Sequence, residues 1–530
     1  MLTKELKENK GITLVILIIM IIILLILAGI TINAITGDNG IIGNAGQAKE
    51  ETEIANEREI VEKATVQAMG NNKYGNIEED ELQGELDKET GEGKTDATDI
   101  GEEFEVVFID SKRYYIVDKD GNVGEAEEII KDKNPGDITT GKDGEELDGS
   151  EEKPYEIWCI EDLVALSNMV NGSGIKLENE NPIEVESINS FSEKYIELKT
   201  NLNFKSKLSY QNSERTDFGD INGNLNDGNT LMNEMTTGIG FKPIGNEERG
   251  FFGVFDGNEK EIQNIYIKTD KIAGLFSEIL VDTATIKDLG ITGVITSTDS
   301  YVGGIVGSYT SGTITNCYNK CEINGSSYAG GIIGHAYATN VELSNCYNFG
   351  NVTGKIAAGI LSRNGGDGFR TIITNCFNVG NITGTEKSTA GGILGDVKTM
   401  TLNINNCCNL GEIKSDTFSG GIVGYSRYTV NINNGYNAGR IYSDGKADII
   451  VPEIWNSKIV LKNFFYDESN LIKGVQIYSK DAISFKNNKE GVEELKNNLN
   501  EYMDESGIYP NRWYKWKLGE DGYPILDFDT

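Results

Sequence analysis

Residues 303–319 read GGIVGSYTSGTITNCYN, and most of that phrase returns downstream as GGIIG…SNCYN, AGIL…TNCFN, GGILG…NNCCN and GGIVG…NNGYN. The Gly–Gly or Ala–Gly pairs begin at 303, 330, 358, 391 and 420, and the NCYN-like element keeps step at 316, 345, 375, 406 and 434. A period of about 30 residues marks stacked supersecondary units. Within each unit the apolar runs are short, β-branched and bounded by Gly or Asn, as in GTITN and CEING; none is long enough for an amphipathic helix. Helical solenoids are excluded on that ground, and leucine-rich repeats by the absence of their leucine spacing. The pattern predicts a mainly β chain built on a right-handed parallel β-helix, one coil per repeat.

Stacking explains why the phrase is so bland. Successive coils pair through backbone hydrogen bonds about 4.8 Å apart, so each side chain lies on its counterpart in the next coil. Like charges stacked in that way repel. Residues 301–442 accordingly hold only 7 acids and 9 bases. Asn tolerates left-handed bends and bonds to the Asn above and below it, so Asn316, Asn345, Asn375, Asn406 and Asn434 are expected to form a ladder at a bend. Ile305, Ile332, Ile360, Ile393 and Ile422 are expected to form an aliphatic stack in the core. No proline lies between Pro243 and Pro452, which keeps every backbone N–H available to the ladders.

The repeated G-G-I-V-G and N-C-Y-N units resemble the GLUG repeats of bacterial surface adhesins, which also occur beside immunoglobulin-A proteases. The flanks resemble the same group: YEIWCIEDLVALSNMVNGSG at 155–174, YIELKTNLNF at 195–204, FKPIGNEERGFFGVFDGNEKEIQNIYI at 241–267 and WYKWKLGEDGYPIL at 513–526. The resemblance covers roughly residues 155–526. It implies an adhesin-like role with an extracellular glycan or protein as ligand. Tyr301, Tyr328, Tyr347, Phe377, Phe418 and Tyr425 are candidate aromatic contact points, some of them packed inside.

Charge separates this region from what precedes it. The whole chain carries 83 acids against 48 bases, a net −35, which excludes a nucleic-acid surface. Residues 51–150 alone hold 30 acids and 11 bases. Upstream of them, residues 11–35 (GITLVILIIMIIILLILAGITINAI) are 25 residues without a charge, enough to cross a bilayer as a helix. Lys4, Lys7 and Lys10 precede that segment and place residues 1–10 in the cytoplasm, with the bulk of the chain outside.

The stretch ENKGITLVIL at 8–17 resembles a type IV prepilin leader. That likeness implies a prepilin peptidase as partner, cutting between Gly11 and Ile12 and methylating the new N-terminus. Ile12 stands where the family has Phe, and Ile16 where it has the Glu that neutralises a neighbouring subunit's amine; the second departure counts against polymerisation more than against processing.

The expected organisation is a cytoplasmic leader (1–10), a transmembrane helix (11–35), an amphipathic helix (36–70), a small α+β pilin-like head (71–130), an acidic linker (131–153), the β-helix (154–466) and a C-terminal cap (467–530). The linker reading rests on the near absence of apolar residues from KDKNPGDITTGKDGEELDGSEEK.

Chemistry-bearing motifs are scarce. Cys317, Cys346, Cys376 and Cys407 occupy one repeat position and read first as small buried side chains; disulfides between adjacent coils are the alternative, and a metal site the least favoured reading, since no C-x-x-C pair exists. His335, the single histidine, excludes an H-E-x-x-H zinc protease and reads as a surface or loop residue. A polysaccharide lyase or hydrolase is the third reading after adhesin and minor pilin-like or pilus-tip subunit, because parallel β-helices often host such enzymes; Asp367, Asp396 and Asp416 read as scattered loop carboxylates and count against it. DKDGNVGEAEE at 118–128 is a hairpin turn rather than an EF-hand loop, because its fifth position is Val123. No cofactor is expected.

Overall fold

The computed structural model describes residues 41–72, 76–128, 135–172, 191–209 and 230–527, with short breaks at 143, 247–248, 281, 299, 338–339, 366–369, 399, 455–457, 471–474, 478–480, 507–513 and 520–521. The chain forms two compact units that divide after Ile129. The leader, the apolar span 11–35 and the processing residues Gly11 and Ile12 lie outside the described residues. Among the described residues no helix is long and apolar enough to cross a membrane.

In the first unit a long helix, α1 (Ile41–Asn71), is followed by α2 (Glu79–Thr90) and a four-stranded antiparallel sheet of β1 (Thr95–Asp99), β2 (Glu103–Phe108), β3 (Arg113–Asp118) and β4 (Glu127–Glu128). Val61, Ala64 and Ala68 fall at i, i+3 and i+7 and are fully buried in one core with Phe104, Val106, Tyr115 and Val117. Arg113 pins the helix to the sheet. Its guanidinium donates to both Glu57 oxygens at 2.9 and 3.0 Å, and the Tyr115 hydroxyl donates to the same carboxylate at 3.1 Å. Periodicity had not revealed α2, because Leu82 and Leu86 are its only large apolar residues.

The second unit is a parallel β-solenoid of about seven turns. Its repeats meet in register. Val306, Ile333, Leu361, Leu394 and Val423 pair in sequence down a six-stranded sheet made of β5 (Phe276–Ile279), β6 (Val306–Tyr309), β7 (Ile333–Ala336), β8 (Leu361–Asn364), β9 (Leu394–Val397) and β10 (Val423–Ser426). The residue before each of them, Ile305 through Ile422, is fully buried in the core. Each contributes about 1.5–3 kcal/mol by leaving water.

One change in coil length is taken up by a bulge. Gly354 pairs with Gly384 and Ile356 with Thr389, so the later strand carries extra residues. Asp416 holds that bulge: it is not a free loop carboxylate but accepts from the N–H groups of Lys387 and Ser388 at 2.7 and 2.6 Å.

The repeated glycines answer a steric demand. A Cβ on the second Gly of each pair would strike the carbonyl oxygen of the next coil: 2.3 Å from Gly304 to Gly331, 2.1 Å from Gly331 to Gly359, 2.3 Å from Gly359 to Gly392 and 2.1 Å from Gly392 to Gly421. The first position is more forgiving, since Ala358 occupies it in the third coil and is fully buried.

The acidic linker is shorter than composition suggested. Residues 135–153 fold onto the first coil: Ile138 and Leu147 join the solenoid core, Ile138 O accepts from Glu156 N at 3.1 Å, and Gly149 O accepts from Tyr195 N at 2.8 Å. The carboxylates flanking these two anchors close turns: Asp137 accepts from Thr139 N and Asp148 from Ser150 N, both at 2.9 Å.

Strand pairing also continues past residue 466, to Ile483–Phe485. The last helix, Lys489–Ser506, and the hairpin Trp516–Leu518/Pro524–Leu526 then pack with the repeat residues Phe377, Cys408, Tyr436 and Phe465, so the C-terminal segment covers a flank of the rod.

Candidate functional site

Each repeat places two asparagines on the rod. The first, from Asn316 to Asn434, has φ between 53° and 57°, the left-handed region that Asn tolerates best after Gly. Its side-chain amide donates to the preceding coil: Asn345 to Asn316 at 2.8 Å, Asn375 to Asn345 at 2.8 Å, Asn406 to Asn375 at 2.9 Å and Asn434 to Asn406 at 2.8 Å. Asp288 ends the file as an acceptor and Asn463 extends it as a donor, both at 2.7 Å.

A second file, Asn319, Asn348, Asn378, Asn409 and Asn437, was not read from the sequence. It is almost wholly buried and runs in the opposite sense, the first four amides each donating to the following coil at 2.7–2.8 Å. The signal was the last letter of NCYN. Cys317, Cys346, Cys376 and Cys407 lie between the two files, free and buried, their thiols donating to the carbonyl two residues back at 3.0–3.3 Å. Burial pushes the Cys317 and Cys376 thiols up, so they stay protonated. All seven cysteines are free. Among the described residues no cluster of His, Cys, Asp or Glu could hold a metal ion.

These files are scaffolding. The chemistry collects on the six-stranded sheet, at the position following the G-G-x-x-G phrase. There the register sets Ser308, His335, Arg363, Asp396 and Tyr425 side by side in consecutive coils. This is the variable letter of a nearly constant phrase (S, H, R, D, Y), a signal present in the sequence but not recognised. Two expectations are thereby corrected. His335 lies on β7 and is 2 % exposed, neither a surface nor a loop residue, and Asp396 lies on β9, 9 % exposed. Asp367 lies outside the described residues.

Aromatic rings enclose the column. Tyr301 and Tyr328 stack at 5.2 Å, and both rings meet the imidazole of His335, at 4.7 and 5.1 Å. Tyr337 closes the far side at 3.8 Å, and its hydroxyl shares a 2.6 Å hydrogen bond with that of Tyr301. The Arg363 guanidinium lies 4.8 Å over the Tyr328 ring, hydrogen-bonds the Tyr328 hydroxyl, and faces Asp396 at 3.3 Å. Phe418 and Tyr425 continue the aromatic strip at 5.4 Å.

Polar atoms inside the cluster lack hydrogen-bond partners among the described residues: both ring nitrogens of His335, Arg363 Nε, Asn364 Oδ1 and Asp396 Oδ1. Burial, then the charges of Arg363 and Lys398, lower the His335 pKa to about 3. Burial raises the Asp396 carboxyl above its ordinary value, against the pull of Arg363, Lys398 and Arg427. Burial, with the hydrogen bond to Tyr337, pushes Tyr301 up to about 12. At neutral pH the His335 imidazole and the Tyr301 phenol are therefore uncharged.

His335 also makes the rod acid-sensitive. Its folded pKa lies below the unfolded value of about 6.5, so the unfolded chain takes up the proton first and stability falls as pH drops from about 6.5 towards 3. The expected loss is about 1.4 kcal/mol per pH unit below about pH 6. His335→Gln should flatten that slope between pH 6 and 5 in urea titrations; parallel slopes for the two proteins would contradict it.

A second aromatic file, Tyr318, Tyr347 and Phe377, stacks at 5.0 and 4.9 Å with rings within 9° of parallel. Phe377 lies beneath the C-terminal segment, so it is a packing residue and not a contact point. Trp516 Nε1 from that segment donates to Asn406 Oδ1 at 2.8 Å, fastening it to the first asparagine file.

No family model matches the chain, and no curated protein matches it. Among solved structures, one described as "a putative immunoglobulin A1 protease from Bacteroides ovatus" is similar at 21 % identity, over 73 % of this chain and 96 % of that one, with a TM-score of 0.44.

Proposed function

We propose that this chain is a membrane-anchored cell-surface protein, similar to GLUG-repeat adhesins, whose solenoid holds a glycan ligand on its six-stranded sheet. The observation that carries the reading is the column of His335, Arg363 and Asp396 under Tyr301, Tyr328 and Tyr337. Stacked strands otherwise favour apolar and amide residues, and burying unpartnered polar atoms costs about 1–3 kcal/mol each. A fold that carries them at one place, beside aromatic rings, has the makings of a binding site. Aromatic faces suit the C–H faces of sugars, and the orphaned donors and acceptors suit their hydroxyls.

A second reading, a minor pilin-like subunit, is favoured by α1 packed lengthwise on an antiparallel sheet and by the prepilin-like residues around Gly11. In either reading residues 1–10 stay inside and the solenoid faces out.

One experiment on the native envelope separates the two. Protease added to intact cells should remove the solenoid, and the intact mass should report where the mature chain begins. A chain starting at methylated Ile12 places it in the pilin export pathway, while one starting at Met1 leaves the anchored adhesin. Solenoid peptides protected until the cells are lysed would sink both readings.

A further inference from the structure

The residues two places beyond the His335 column form a column of their own. The register that pairs Ala336, Asn364, Val397 and Ser426 sets Tyr337, Gly365, Lys398 and Arg427 in successive coils. Tyr337 is half exposed. Gly365 is demanded by the packing beneath it, since a Cβ there would lie 2.3 Å from His335 Nε2. Beneath it lie the His335 ring nitrogens and Asp396 Oδ1, which have no hydrogen-bond partner among the described residues.

Lys398 and Arg427 are the telling pair. Their strands are hydrogen-bonded neighbours, so two cations are stacked one coil apart, the arrangement that the rest of the repeat avoids. Neither makes an ion pair among the described residues. With Arg363, they give three cations around the single carboxylate of Asp396, in a chain of net charge −35. The next carboxylate along the column, Glu453, is taken by Lys446. The cluster therefore carries three cations against one carboxylate, a local cationic excess next to an exposed aromatic ring.

We infer that this column binds an acidic saccharide, a chain bearing uronate- or sialate-type carboxylates, with Lys398 and Arg427 receiving the carboxylate and Tyr337 stacking on the sugar ring. Strand spacing of about 4.8 Å is close to the length of one hexose, so a polysaccharide lying along the rod keeps step with the coils. The inference rests on the reading of the solenoid as a glycan-binding surface and narrows it to one class.

The test uses the full chain in detergent and three probes: polygalacturonate, hyaluronan and polysialic acid oligosaccharides. Each is offered as the free acid and as its methyl ester, which keeps the shape and removes the charge. At least one free acid should bind, its ester about tenfold or more weakly, and added salt should weaken the acid only. The double variant Lys398→Gln/Arg427→Gln should lose the same factor while its thermal midpoint stays unchanged. Tyr337→Ala should weaken acid and ester alike. Equal binding of acid and ester, or an unaffected double variant, overturns the acidic class and leaves a neutral-glycan reading standing. If no free acid binds, the inference falls, and binding of a neutral dextran in parallel decides whether the glycan reading falls with it.

Discussion

Gly392→Ala should break the rod in the middle. The added Cβ would lie 2.1 Å from Gly421 O in the next coil and 2.5 Å from Asn409 Cγ, and neither partner is free to yield. One is backbone held by the ladder, and the other belongs to the buried asparagine file. The expected cost is about 3 kcal/mol or more. In a solenoid each coil is stabilised by its neighbours, so the damage should uncouple the coils on either side and split a single unfolding transition into two. Gly391→Ala is the internal comparison. Its Cβ would also come within 2.0 Å of a carbonyl, that of Leu394, yet Ala358 shows that the equivalent site can adjust. A thermal melt followed by the strand signal in circular dichroism should show Gly392→Ala far below Gly391→Ala; equal midpoints would mean that the coil spacing is softer than the contacts imply.

Asn378→Asp should be as damaging at neutral pH, for an electrical reason. The Asn378 amide donates to Asn409 Oδ1 and to Gly380 O, both at 2.8 Å, while its oxygen accepts from Asn348 at 2.8 Å. A carboxylate keeps the acceptor and replaces the donor with negative charge facing two oxygens in a fully buried position. The loss should be about 3–5 kcal/mol, and the new carboxyl should have a strongly raised pKa. The sign of the pH dependence then follows. A group whose folded pKa is raised contributes most below its unfolded value, so the variant should recover part of its stability, relative to the parent, as pH falls towards 4. Asn378→Ala, which loses the bonds without adding charge, should show no such recovery.

The two glycine and asparagine predictions come from features visible in the one-dimensional repeat; the His335 column does not. Reading down a single coil, GGIIGH and AGILSR look like noise after a fixed phrase. Only alignment of the coils sets His335 beside Arg363 and Asp396, because the contacts join residues about 30 positions apart and the intervening lengths vary. The polar segment 135–153 misled for a related reason. Composition averages over a segment, whereas packing needed only Ile138 and Leu147 to find the first coil.

By itself the sequence determined the solenoid, its period and its first asparagine file, because in-register stacking demands the same residue at each turn and therefore writes itself as a repeat. It also carried the apolar span 11–35, whose length and lack of charge are properties of the chain alone. Only the tertiary structure decided which irregular letters meet, how deeply His335 and Asp396 are buried, and that Lys398 and Arg427 stack beside the single carboxylate of Asp396. Burial and charge proximity depend on neighbours across coils, and those neighbours are fixed by strand register, which no single repeat can specify.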